Sequence, residues 1–371
     1  MPAIIAGVFT GSILLHGGIL SIYDPFLAKK DQKTLTLDSQ ILLSNDAFSL
    51  EALFDDFHGK YIPGDSDNTA IGDIRVDAGS IIEGWGYIGY SYRKEAVIKS
   101  TPDSMKFLYQ VSNDLDLFTG EHYDAFILLK GFETHGIEFS NTYPLYSNGT
   151  FDIRIGYGVE LMIGTEGQNG YVTGDASAVS TTDYDFNLNS RYYYTQNYLY
   201  DYDVDYTSAY GFSTQLAMLF TYDNFALKII GNDVLGKLYW KNIPYSEVNL
   251  VSENKSYDEN GYAEYSPTIS GLERQQRYIQ RLMPKWRFET SYEIEGDLVQ
   301  VGFDYIEDMT LPYVSYRYEI NDRFMAKLSY EHFFGMFGLD LTYEDYRIEI
   351  CTNKLIEPSA AKLSFGYLYR Y

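Results

Sequence analysis

Residues able to do acid–base, nucleophilic or metal chemistry are few and scattered in this sequence. Histidine occurs at His16, His58, His122, His135 and His332, and cysteine only at Cys351. No His-x-x-x-His spacing and no cysteine pair is present, so the usual convergence of ligands on zinc is not encoded. A single cysteine forms no internal disulfide and reads here as a small strand residue. Glu331-His332 is where a hydrolase reading would rest, but no motif surrounds it, and a loop or interfacial histidine is expected instead.

Asp201, Asp203 and Asp205 alternate along an extended stretch, with Tyr200, Tyr202 and Tyr206 among them. Alternating carboxylates supply the oxygen ligands that Ca²⁺ takes. The helix–loop–helix calcium pattern nevertheless fails, because Tyr206 stands where its glycine belongs and Phe212 where its last glutamate belongs. A solvated acidic loop is the expectation. No metal and no cofactor is assigned.

The larger set of ionised residues sits in alternation with apolar ones. In 285–295, Trp286, Phe288, Thr290, Tyr292 and Ile294 share one face, against Lys285, Arg287, Glu289, Ser291 and Glu293. Val299, Val301, Phe303 and Tyr305 follow, then Val314, Tyr316, Tyr318 and Ile320 opposite Ser315, Arg317 and Glu319. Leu328 and Tyr330 oppose Lys327 and Glu331, and Leu339 and Leu341 oppose Asp340 and Thr342. Earlier, Phe151, Ile153, Ile155, Tyr157, Val159, Leu161 and Ile163 oppose Asp152, Arg154 and Glu160. A period of two over such lengths means antiparallel strands. Short turns near Gly296, Asn321 and Tyr343–Asp345 alternate with longer connections. The stretches 165–208 and 244–275 are expected to be outer loops with partial strand character.

Composition narrows the solvent. The chain has 38 Tyr and 22 Phe, 17% aromatic with Trp, yet only 45% of it is hydrophobic. Helical membrane bundles need repeated apolar runs of about 20 residues, which are missing. Rings with one wet end suit the two interfacial girdles of a barrel in lipid. The net charge of -24 argues against a nucleic-acid partner.

The last eleven residues, Ala361 to Tyr371, place apolar and mostly aromatic residues at every odd position. In Ser364, Gly366, Tyr369 and Tyr371 this segment resembles the closing strand of outer-membrane β-barrel proteins of Gram-negative bacteria. The resemblance covers about a dozen residues and implies insertion by a barrel-assembly machine; it implies no substrate.

The expected fold is therefore an all-β, antiparallel up-and-down transmembrane barrel of about 14 strands, within 12–16. Residues 1–18 are expected to be an export signal, with Gly17 or Gly18 as the cut, although a retained anchor or a segment inside the barrel would also fit. Residues 19–371 form the barrel, with an N-terminal plug from within 19–60 as an option. Lipid and lipopolysaccharide would surround it in the outer membrane; oligomeric state is left open. In lipid the sheet must close and charged rows must face the lumen. Arg154, Arg287, Glu289, Arg317, Glu319, Lys327, Arg347 and Arg370 are thus expected to line it. Two consequences stay open: a charged pore for small hydrophilic solutes, or an ion-pair lattice that fills the barrel. The alternative function is a structural or adhesive barrel whose acidic, Tyr-rich loops bind a partner or divalent cations.

Overall fold

A computed structural model describes residues 18–27, 34–82, 85–196, 204–252, 255–257, 263–265, 268–321 and 323–370. The strands are β1 (Thr34–Asn45), β2 (Asn68–Ile82), β3 (Gly86–Ser100), β4 (His122–Ser147), β5 (Phe151–Ala178), β6 (Tyr184–Tyr194), β7 (Ala209–Tyr222), β8 (Phe225–Asn232) and β9 (Lys237–Val251). They continue with the small hairpin β10 (Lys255–Tyr257) and β11 (Ala263–Tyr265), then β12 (Thr268–Arg281), β13 (Lys285–Ile294), β14 (Asp297–Ile306), β15 (Met309–Asn321), β16 (Phe324–Glu331), β17 (Met336–Tyr343), β18 (Tyr346–Thr352) and β19 (Ala360–Arg370). Two helices, α1 (Leu50–Phe54) and α2 (Pro102–Ser112), lie in connections.

Seventeen of these strands make one sheet, and it closes: β1 pairs with β19 from Thr34↔Arg370 to Ser44↔Ala360. A circuit of pairings runs from β1 through β5, then β6, β9, β7 and β8, and on through β13 to β19. That circuit holds sixteen strands, and β12 lies outside it against β9. The expected number of about 14 is therefore corrected upward. Interruption is the physical reason. β6 and β7 pair with successive stretches of β5, and β8 and β9 with successive stretches of one ribbon made by β13 and β12. Collinear segments lengthen the wall without widening the ring.

The two ends differ as the turn pattern implies. Turns β7–β8, β13–β14 and β17–β18 take two residues each, 223–224, 295–296 and 344–345. Glu295 (φ 51°) and Gly296 (φ 97°) both have positive φ, the hairpin geometry whose twist suits antiparallel strands. The opposite end carries 46–67 with α1, 101–121 with α2, and 353–359. Short turns on one side and long loops on the other are the habit of outer-membrane barrels.

The structure gives detail to two expectations about chain organisation, the optional plug from within 19–60 and the outer loops with partial strand character. Residues 34–45, inside the range allotted to a plug, are wall strand β1; Leu35, Leu37 and Ile41 face out while Leu42 is buried within. Much of 165–208 and 244–275 is also wall, in β5, β6, β9 and β12. β4 and β5, at 26 and 28 residues, raise one side of the barrel above the 7- to 13-residue strands β14 to β19. Above the membrane neither face must be uniformly apolar, so the alternation that marks a spanning strand fades.

In the β14–β19 wall the exposed side chains are Val301, Val314, Tyr316, Leu328, Leu339, Ile348, Ile350 and Leu363. Their register partners across the sheet also face out, as in Leu328↔Leu339 and Leu339↔Ile350, while charged neighbours along the same strands point inward: Arg317, Lys327, Asp340 and Glu349 are all buried. No described helix is long and apolar enough to span a bilayer. A closed sheet with an aliphatic outside and its backbone paired internally is the β solution to lipid. The protein is an outer-membrane β-barrel.

At the rim, α2 protects a free edge. Thr101 caps it, accepting from Ser104 N–H, and Pro102 starts the first turn. Asp103 and Ser104 then accept the β4 amides of Asp124 (3.2 Å) and Phe126 (2.8 Å), beyond Ile127 where the pairing of β4 with β3 ends.

Candidate functional site: a plugged, two-layered lumen

Inside the barrel the wall presents two layers. Toward the short-turn end it is ionic. Lys327 and Arg347 meet Asp340 at 3.2 and 2.9 Å, and Arg347 and Lys362 meet Glu349 at 2.7 and 3.0 Å. Arg75 binds Asp77 at 2.6 Å and Glu138 at 2.9 Å. Arg93 binds Glu95, Glu160 and Asp233, and Lys285 also reaches Glu95 at 2.8 Å. Arg75 and Arg93 stand directly opposite across β2–β3, a repulsive placement tolerated because each guanidinium has its own carboxylates.

Toward the long-loop end the inward residues are apolar. Leu42, Ile71, Val97, Phe132, Met162, Trp240, Leu311 and Met336 pack into one buried cluster. Lys130 crosses to Glu307 at 2.6 Å and Lys99 to Asp308 at 3.2 Å, tying β3 and β4 to the β14–β15 turn on the opposite wall. The charged rows expected to line the lumen are thus joined by a second layer, packed like a globular core.

Residues 18–27 lie inside the barrel and are bonded to side chains of β1, β2, β4, β8, β13, β14 and β19. Lys362 Nζ donates to the Gly18 carbonyl (3.1 Å) and Gln40 Nε2 to that of Ile19 (2.7 Å). Leu20 N–H donates to Asp304 (3.0 Å), and Arg287 returns a bond to the Leu20 carbonyl (3.0 Å). Ser21 N–H donates to Asp73 (2.9 Å), and Asp24 pairs with Lys228 (2.8 Å). Ile19, Leu20 and Ile22 join the apolar cluster. At the far end Pro25 lies so close to β5 that a Cβ on Gly156 would come within 2.5 Å of its Cγ.

Of the residues expected to line the lumen, Arg287, Glu289, Arg317, Lys327 and Arg347 are buried on its wall. Glu289 accepts from the Tyr313 hydroxyl at 2.8 Å and from Gln300 at 3.1 Å. Arg154 and Glu319 sit at the short-turn mouth, where Arg154 pairs with Asp152 at 2.6 Å. The side chain of Arg370 lies outside the described residues. Sequence reading overlooked Arg75, Arg93 and Glu138; Glu160 and Asp304 fall on its polar rows without being named as lining residues. Alternation of Asp73, Arg75 and Asp77 with Ile74 and Val76 was the available signal for the first of them.

In β19, Ser364 and Gly366 are buried inward while Tyr369 faces out; Tyr371 lies outside the described residues. Asp201 and Asp203 lie outside them as well, and Asp205 is exposed. Among the described residues no group of three or more potential metal ligands occurs. The Glu331 carboxylate is spent on the amides of Phe333 and Phe334, holding the turn that carries His332. His135 faces outward, its Nδ1 bonded to the Tyr90 hydroxyl at 2.7 Å and its ring against Tyr92, as an interfacial residue. Residues 1–17, which include His16 and nearly all of the expected export signal, lie outside the described residues.

No protein-family profile matches the chain, and no curated protein matches it. Solved structures are similar in outline. The Pseudomonas putida toluene transporter TodX has a TM-score of 0.43 and 10% identity, covering 96% of this chain and 95% of that one. The Ralstonia pickettii toluene transporter TbuX has a TM-score of 0.34 and 9% identity, covering 98% and 94%. The siderophore receptor PirA from Pseudomonas aeruginosa has a TM-score of 0.20 and 8% identity, covering 91% and 80%. Scores this low transfer neither substrate nor mechanism to this chain.

Proposed function

We propose that the protein is a gated outer-membrane conduit, shut at rest by residues 18–27 and open to small solutes when that segment leaves its seat. The observation that carries this reading is the way the plug is held. Its backbone is bonded to wall side chains of β1, β2, β13, β14 and β19 rather than incorporated into the sheet. A barrel built only for rigidity can be narrow enough for its own side chains to fill; a wider ring closed by a separate segment suits a passage.

The layered wall amends the hydrophilic-pore expectation. A solute on this path meets ions first at one end and aliphatic side chains at the other, which suits a small molecule with an apolar body and a polar head. The same reading gives β19 the role of contacting the barrel-assembly machinery through Ser364, Gly366, Tyr369 and Tyr371, with lipopolysaccharide around the outer rim.

The buried ion lattice favours a second reading, a permanently filled structural or adhesive barrel. One experiment separates the two. In a Cys351→Ser background, Pro25→Cys with Gly156→Cys places two Cβ atoms about as far apart as a disulfide needs, roughly 3.5–4.5 Å after small adjustment. Flux of a short-chain carboxylate into liposomes should be absent in the oxidised protein and slow but measurable on reduction, through the rare openings of the freed plug. Equal flux in both states would refute the gate.

A further inference from the structure

The loop between β18 and β19 holds two large aliphatic side chains in the open. Leu355 is 95% exposed and Ile356 82%. Leaving such residues in water forgoes the gain of burying apolar surface. A floppy loop could fold them away, but this one is pinned. Asn353 Oδ1 accepts the amides of Ser359 (3.1 Å) and Ala360 (3.2 Å), and its Nδ2 donates to Ser359 Oγ (2.8 Å). Thr352 Oγ1 donates to the Lys354 carbonyl (2.7 Å), Leu50 N–H donates to the Pro358 carbonyl (2.7 Å), and Lys60 pairs with Glu357 (3.2 Å). The bonds hold both ends of the finger, so the display of its tip is built in.

We infer that Leu355 and Ile356 insert into the outer leaflet of the membrane and anchor the low side of the barrel rim. Continuity decides the occupant. Ile348 and Ile350 on β18, Leu363 on β19 and Phe337 on β17 form the exposed apolar surface of this wall, and the finger follows Thr352 directly. Lys354 is exposed beside it, positioned to keep its ammonium among lipid headgroups while its stem lies on apolar surface. Strands β14 to β19 are 7 to 13 residues long, against 26 and 28 for β4 and β5, so the finger stands on the low side of the rim, where apolar wall and loop tip are close together.

The test uses the full chain with Cys351→Ser and either Leu355→Cys or Ile356→Cys, labelled with nitrobenzoxadiazole. The vesicles are phosphatidylcholine with phosphatidylglycerol, and the same label at Leu339→Cys provides a lipid-facing reference. Emission at 355 and 356 should shift to the blue, be quenched by nitroxide on the acyl chains, and resist aqueous iodide. Iodide quenching at 355 and 356, while 339 behaves as lipid-facing, overturns the inference. Blue emission quenched by neither agent also overturns it, because a protein partner then covers the finger.

Discussion

The Arg287 guanidinium donates to the Leu20 carbonyl at 3.0 Å while it grips Asp304 at 2.7 Å. Asp304 in turn accepts the Leu20 amide at 3.0 Å. Both backbone groups of one plug residue are therefore satisfied by a single buried ion pair of the wall. The plug and the lattice are one hydrogen-bonded object, and disturbing either should be felt by the other.

Arg287→Leu strands the Asp304 charge and leaves the Leu20 carbonyl with only the Ile22 amide, at 3.0 Å. Breaking a buried pair from one side costs about 3–5 kcal/mol, so the urea midpoint of the vesicle-embedded protein should fall. Leak of a liposome-trapped dye should rise. Arg287→Leu with Asp304→Leu should recover most of the stability, yet keep the leak, because Leu20 still lacks its two wall partners.

Orientation of the sheet is tested from outside. Leu339 lies mid-strand on β17, exposed, beside the inward Asp340. Leu339→Arg places a cation in hydrocarbon and should cost roughly 2–4 kcal/mol in urea-dependent folding into vesicles. A cost near zero would mean that this face meets water.

The hairpin turns can be tested singly. Gly296 sits at φ 97° between β13 and β14. Gly296→Ala should destabilise by about 1–2 kcal/mol in the same titration, with conductance properties unchanged. A change in leak would place this turn in the gate.

Tyr369→Ser removes an outward ring near the end of β19. Insertion in cells should fall, while refolding of the purified chain into vesicles stays close to wild type. Equal loss in both assays would make the residue a packing element alone.

Legibility in the sequence followed solvent contrast. Strands β13 to β19 were readable because Leu339 must meet lipid while Asp340 and Arg347 must not, which forces alternation at every position. β1 was missed because Leu42 and Leu43, adjacent and both aliphatic, blur the period even though Leu35, Leu37 and Ile41 keep it. The tall wall was missed because Tyr193 packs on Tyr278 inside it, 3.9 Å between ring centres, while Tyr192 and Tyr194 are buried on the other face. Rings on both faces leave no polarity signal. The apolar lumen layer was hidden for a related reason: Leu311 and Met336 look like lipid-facing residues until their neighbours place them inside. The plug contacts could not be read at all, since Leu20 and Asp304 are brought together only by closure of the ring.

Planar-bilayer recording of the full chain beside a variant lacking residues 18–27 tests the account most directly. The full chain should stay shut apart from rare brief openings, and the deletion should conduct steadily. A full chain that conducts like an open pore, or a deletion that folds and remains silent, would contradict it.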